Sequence, residues 1–174
     1  MAGVGIEVQY DRAEFQKILS ALKRAAKPDL LALSRFMGEE LELISNEAFE
    51  NEVDPVSGEK WEALKAPRAD GTTHPILQYR NHLHDSREHA DSSEGTIFGT
   101  NLVYGAIHQE GGTTRAHEIR PVNGKALKFG GRFTKKVNHP GSKIPPRLYM
   151  GVPKDFDRRI LNDPAVKKLL GIPE

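Results

Sequence analysis

Seven histidines and no cysteine frame the side-chain chemistry open to this 174-residue chain. His82-Leu83-His84, with His89 a short step later, brings three imidazoles close in sequence. At i,i+2 spacing the first two share a face only in a strand, and neither an HExxH pattern nor a cysteine partner accompanies them. Solvent-facing histidines after a short helix are the plainer reading. His108-Gln109 stands between Tyr104 and Gly111-Gly112. As an acid–base group His108 would need a carboxylate, and Glu110 is the one nearest in sequence. The alternative is a buried imidazole donating to backbone carbonyls, with Gln109 satisfying loop amides. No Gly-x-Ser-x-Gly elbow, phosphate loop or dinucleotide fingerprint occurs. These residues compose no catalytic site, so the expectation is a non-enzyme with no cofactor and no metal.

The charges are more informative than the histidines. The net charge is +1, yet residues 1–111 hold 11 Lys/Arg against 19 Asp/Glu, and residues 112–150 hold nine Lys/Arg against Glu118 alone. Segregation of this kind suits a surface that meets anionic phosphate or an acidic protein face. The bland alternative is a lysine-rich hairpin whose charges guard its own edges against aggregation. Arg132, Lys135, Lys136 and Lys143 are the candidate contacts for DNA or a partner. Phe129, Phe133 and Tyr149 interleave the cations, which would suit a base-stacking groove. No RNA-recognition, KH or zinc-finger motif is present. Non-specific phosphate contact, as along a DNA-conducting channel, demands less of the sequence.

The elements that must position these residues follow from periodicity. Val4, Ile6, Val8 and Tyr10 alternate with polar or small residues, the period of a half-buried strand. Asp11 then opens a helix to about Ala26 with a capping-box-like Glu14, and Lys27-Pro28-Asp29 breaks it. Leu30, Leu33, Phe36 or Met37, Leu41, Ile44 and Ala48 recur at helical steps, predicting a second helix over 29–50 and so an αα-hairpin. Residues 51–75 lack periodicity and are rich in proline and glycine, which predicts a long loop or projecting arm. Trp61, the single tryptophan, would pin that loop to the core. Ile76–Ser86 is expected to be a short helix, Gly95–Gly99 a strand, and Asn101–Ile107 a turn into a helix. Strands are expected at Ala116–Val122, Ala126–Phe129 and Phe133–Val137, the last two joined by Gly130-Gly131. Ile144-Pro145-Pro146 is extended, and Asn162-Asp163-Pro164 divides an apolar tail into one or two short helices. The resulting fold class is α+β: a small antiparallel sheet flanked by an N-terminal αα-hairpin and short C-terminal helices, in one domain over 1–174. No apolar run approaches a membrane span, and Glu7, Asp11 and Glu14 stand where a signal peptide would be apolar. The lack of cysteine fits assembly in a reducing cytoplasm.

Several separated landmarks occur together and in order. Phe49 is followed by Asp54-Pro55, Gly58 and Trp61, then by Ile76-Leu77 and Leu83. Gly99-Thr100-Asn101 and Tyr104 lead into Ile107-His108-Gln109 and Gly111, and Ile144-Pro145 with Arg147 precedes Gly151. In these the chain resembles the phage virion morphogenesis, or tail completion, proteins of Mu-like and related contractile-tailed phages and prophages, over about residues 5–170. Gly105, Glu110 and Asn81-His82 depart from the usual pattern. The resemblance implies a structural protein acting late in tail assembly, completing the tail or making it competent to join the filled head. Related neck and terminator proteins are often arranged in rings. It further implies a homo-oligomer that contacts tail-tube, terminator and head-neck proteins in the virion, with non-specific contact to packaged DNA and none to membrane. Asp54, Pro55, Trp61, Tyr104, His108, Gln109, Gly111, Pro145 and Arg147 are its candidate assembly residues. Pro145 would stiffen a strand end and Arg147 would offer a bidentate donor to a neighbour's carboxylate.

Overall fold

A computed structural model describes residues 29–68, 70–122, 124–129 and 131–172, together with Gln16. The strand expected at 4–10 and the first helix of the αα-hairpin lie outside these residues, apart from Gln16. The second helix, α1, spans Leu30–Asn51. Asp29 starts it by accepting the Ala32 amide at 3.1 Å, and Glu52 ends it in the left-handed region at φ 52°. Leu33, Met37, Leu41, Ile44 and Ala48 form its buried stripe, with Phe49 alongside.

Two antiparallel strands, β1 (Arg87–Ser92) and β2 (Gly95–Thr100), pack on α1. The register places Arg87, His89 and Asp91 on the same face as Thr100, Phe98 and Thr96. Gly38 of α1 lets β1 come this close, because a Cβ there would collide with the His89 ring. Helices α4 (Phe156–Asn162) and α5 (Pro164–Leu170) cover another side of α1. Asp163 divides them and caps α5 by accepting the Ala165 and Val166 amides. The core therefore draws on α1, Trp61, Ile76, Leu83, Phe98, Tyr149, Met150 and the two C-terminal helices.

Segment 76–86 corrects the sequence expectation. Only α2 (His82–Asp85) is helical, because Leu77 and Asn81 adopt positive φ of 62° and 55°, which no continuous helix tolerates. Ile76 is instead buried singly, and Gln78 donates to the Phe49 carbonyl at 2.9 Å. The helix α3 (Gly105–Glu110) follows β2, as the turn-into-helix expectation anticipated.

The remaining strands do not join the core. They are β3 (Gly112–Thr113), β4 (His117–Ile119), β5 (Leu127–Phe129), β6 (Arg132–Thr134), β7 (Val137–His139) and β8 (Lys143–Ile144). They pair β3 with β8, β4 with β7 and β5 with β6, nested one inside the next. Gly112 faces Ile144, Thr113 faces Lys143, His117 faces His139 and Ile119 faces Val137, one unbroken offset. Between Ile119 and Leu127 the register then shifts opposite Lys135 and Lys136, before a tip hairpin sets Phe129 against Arg132. Phe129 facing Arg132 leaves two residues between the tip strands, the length the Gly-Gly pair predicts. The expected strands at 116–122 and 133–137 are shorter, and the second is split, because the register shifts between them. Residues 112–144 are thus a single β-ribbon arm, with roughly 20 Å of constant register before its tip. None of its described residues is buried, and none belongs to the core. The ribbon stands apart from the core. Within segment 51–75, residues 53–61 carry a short antiparallel bridge between Val53 and Lys60 and turn inward through Trp61, while most of the described residues from 62 to 75 are exposed.

Candidate functional site: the root of the arm

Residues 144–150 return from the arm as extended chain, and the sequence landmarks converge on them. The Arg147 amide donates to the His108 carbonyl at 2.8 Å, tying the returning chain to α3. The next residue of α3, Gln109, is buried and spans three backbone groups. Its side-chain oxygen accepts the Tyr149 and Met150 amides at 3.0 and 3.2 Å, and its nitrogen donates to the Met150 carbonyl at 2.5 Å. The reading of Gln109 as a satisfier of loop amides is met in full. Gly111, at φ 75°, completes this side: a Cβ there would lie 2.8 Å from the Pro146 nitrogen and 3.1 Å from the Ile144 carbonyl.

The 52–61 segment locks the opposite side. Asp54 accepts the Val56 amide at 2.7 Å and the Ser57 hydroxyl at 2.8 Å, an Asx-type turn with Pro55 at its second position. The turn is closed by Asp54 donating to the Glu59 carbonyl and Trp61 donating to that of Glu52, each at 2.8 Å. This delivers the Trp61 indole, which is buried, packs edge-on to Phe49 at 5.5 Å and donates to the Leu148 carbonyl at 2.8 Å. Gly151 sits against this turn, where a Cβ would meet Val56 at 2.5 Å.

Arg147 is a correction. Its guanidinium is buried and donates twice to the Glu62 carbonyl, at 2.9 and 2.7 Å, within its own chain. Desolvation lowers its pKa from the ordinary arginine value, and no carboxylate pairs with it among the described residues. It is therefore not free to clasp a neighbour's carboxylate. Pro145 is half-buried beside it.

His108 is half-buried, with its Nδ1 buried and unbonded; its ring meets Tyr104 edge-on at 5.9 Å. Burial, then the nearby Arg147 charge, hold its pKa below the usual histidine value. The carbonyl bond expected of its ring is not formed at Nδ1, and Glu110 points into solvent. His82 is exposed, His84 pairs with Asp85 at 2.8 Å and His89 with Asp91 at 3.0 Å, so the three imidazoles go separate ways. Among the described residues no group of three or more His, Asp or Glu is gathered as a metal site would be.

Arg87 is the residue that sequence reading missed. It is buried, bonds the Ser45 hydroxyl, donates to Asn46 Oδ1 at 2.6 Å and to the His84 carbonyl at 2.8 Å, and lies over the Phe49 ring at 4.6 Å. Burial lowers its pKa to about 10. Ser45 in turn donates to the Tyr149 carbonyl at 2.5 Å, so this cation reaches the returning chain through one hydroxyl. Tyr149 itself is fully buried, and desolvation raises its phenol to about 12.

The candidate contact cations all lie on the arm: Arg132 in β6, Lys135 and Lys136 between β6 and β7, Lys143 in β8. Glu118 engages Lys136 at 2.7 Å and Arg120 at 2.6 Å, which leaves Arg132, Lys135 and Lys143 without an ion pair among the described residues. Phe133 is 76 % exposed, whereas Tyr149 is enclosed in the core, so these two rings do not share a groove.

The described chain is thus an α+β body with a basic ribbon rooted in a hydrogen-bonded knot. The chain belongs to the phage virion morphogenesis family, whose model matches residues 10–168. No curated protein and no solved structure matches it. Membership assigns the chain to phage assembly, among other virion components. Among the described residues no helix is long and apolar enough to cross a membrane.

Proposed function

We propose that this chain is a non-enzymatic structural protein that completes the phage tail and makes it competent to join the head. It works as a ring at the neck or tail terminus of the virion, assembled in the host cytoplasm. The observation that carries the reading is the pairing of a family match over nearly the whole chain with an exposed ribbon held by a rigid root. Trp61, His108, Gln109, Gly111, Pro145 and Arg147 serve assembly by fixing that root, with Asp54 and Pro55 shaping the turn behind it and Tyr104 at its rim. A protein that only positions surfaces needs rigidity and an accessible contact element, and the chain supplies both. The test is a phage lacking this gene. Filled heads and finished but unjoined tails should accumulate, and added purified protein should restore infectious particles. Normal joined particles in its absence would sink the reading.

A second reading is an accessory protein that binds nucleic acid through residues 112–150. Arg132, Lys135 and Lys143, without an ion pair among the described residues, favour it. It requires salt-sensitive duplex binding that disappears when Arg132, Lys135 and Lys136 are neutralised together. No binding at low salt removes it.

A further inference from the structure

The arm is a two-stranded ribbon with no layer of the described residues against it, and such ribbons are marginal in water until something packs on them. Its residues 112–144 carry eight Lys/Arg against Glu118 alone. They also hold side chains that cations do not explain: Val122 is 93 % exposed and Phe133 76 %. Duplex phosphate would neutralise the charge but leave both apolar groups in water. A protein face that is acidic and dotted with exposed aliphatics would answer both features.

This chain has such a face. On its exposed side α1 presents Glu39, Glu47 and Glu50 against Arg35 alone, Glu47 lying 3.7 Å from Arg159 of its own chain. Its exposed residues Leu31, Arg35, Glu39, Leu43, Glu47 and Glu50 recur at steps of four and three, one stripe along the helix. Leu31 and Leu43 are 43 % and 49 % exposed within it. We propose that the arm of one copy docks on the acidic stripe of α1 in a second copy. The contact is heterologous, a ribbon onto a different surface of the next subunit, so repeating it closes a ring or builds a stack. It rests on the assembly reading and names the surfaces by which copies would meet.

The test uses the full chain in sedimentation and light scattering across concentration and salt. Two variants are compared, Lys128→Glu/Arg132→Glu/Lys135→Glu on the arm and Glu39→Lys/Glu50→Lys on α1, with circular dichroism confirming that each is folded. The wild type should self-associate, less so in high salt. Each variant alone should lose association by about tenfold or more. An equimolar mixture of the two should regain it, since reversed arm then meets reversed helix. A wild type that stays monomeric at every concentration overturns the contact, as does association indifferent to the arm variant or dependent on added duplex DNA. A mixture that stays apart does the same. An arm variant that fails to associate yet still yields infectious phage overturns the contact while leaving the assembly role standing.

Discussion

Gln109 is the side chain on which the root depends most. It fills three backbone hydrogen-bonding groups at Tyr149 and Met150 that are otherwise buried. Gln109→Ala leaves them unsatisfied, and each such group costs about 1–3 kcal/mol. A loss on the order of 3 kcal/mol is expected in urea denaturation; a change within error would mean the returning chain is held by something else. His108 gives the same region a pH dependence. Its folded pKa lies below the ordinary 6.5, so the unfolded chain takes the proton first. Its contribution is complete above that value and is lost as pH falls from there to the folded pKa. His108→Gln should flatten this slope in urea midpoints measured across the window, while the acid transition of Glu52 stays. That carboxyl is lowered despite its burial, by the bonds it accepts from His74 and the Ile76 amide. The residue types at the root were legible in the sequence, since His-Gln-x-Gly and Ile-Pro-x-Arg were singled out there. Their partners were not, because the groups they bond are main-chain atoms 40 or 85 positions away.

At the scale of elements, α1 was legible because its apolar steps match the helical period and nothing tertiary opposes them. β1 was invisible for the opposite reason. Its inward face is Arg87, His89 and Asp91, so the alternation that marks a half-buried strand is written in polar residues. Leu77 and Asn81 defeated the helix expected at 76–86, since the burial of Ile76 and the bond from Gln78 dictate a non-helical path. The arm was misplaced because composition does not separate the two segments. Proline and glycine made 51–75 look like the projection, yet Asp54 and Trp61 tie residues 53–61 inward, while 112–144 is just as rich in both and its short strands are joined only by pairing across the ribbon. If the ribbon contributes nothing to the core, replacing Arg120–Lys136 with a two-residue Asn-Gly turn should leave the body folded. The melting temperature by circular dichroism is expected to shift by only a few degrees. Loss of cooperative melting would show that the arm is part of the fold.

At the scale of the molecule, one chain of net charge +1 separates an acidic body from a basic ribbon and sets a rigid joint between them. The joint comprises residues on both flanks of the arm, Gly111 before it and Pro145 and Arg147 after it. Landmarks far apart in sequence thus meet in space, Gln109 and Trp61 both bonding the chain at 148–150. Gln109, Arg87 and Arg147 spend their buried donors on the chain itself. The central claim is that the arm is the working surface and the rest is its mount. It is tested most directly by a phage whose only copy of this gene carries the Asn-Gly replacement of Arg120–Lys136. The account expects a folded protein at normal levels but joined, infectious particles reduced at least about a hundredfold, roughly what losing 2.7 kcal/mol of contact would do. Full infectivity from that phage would contradict it.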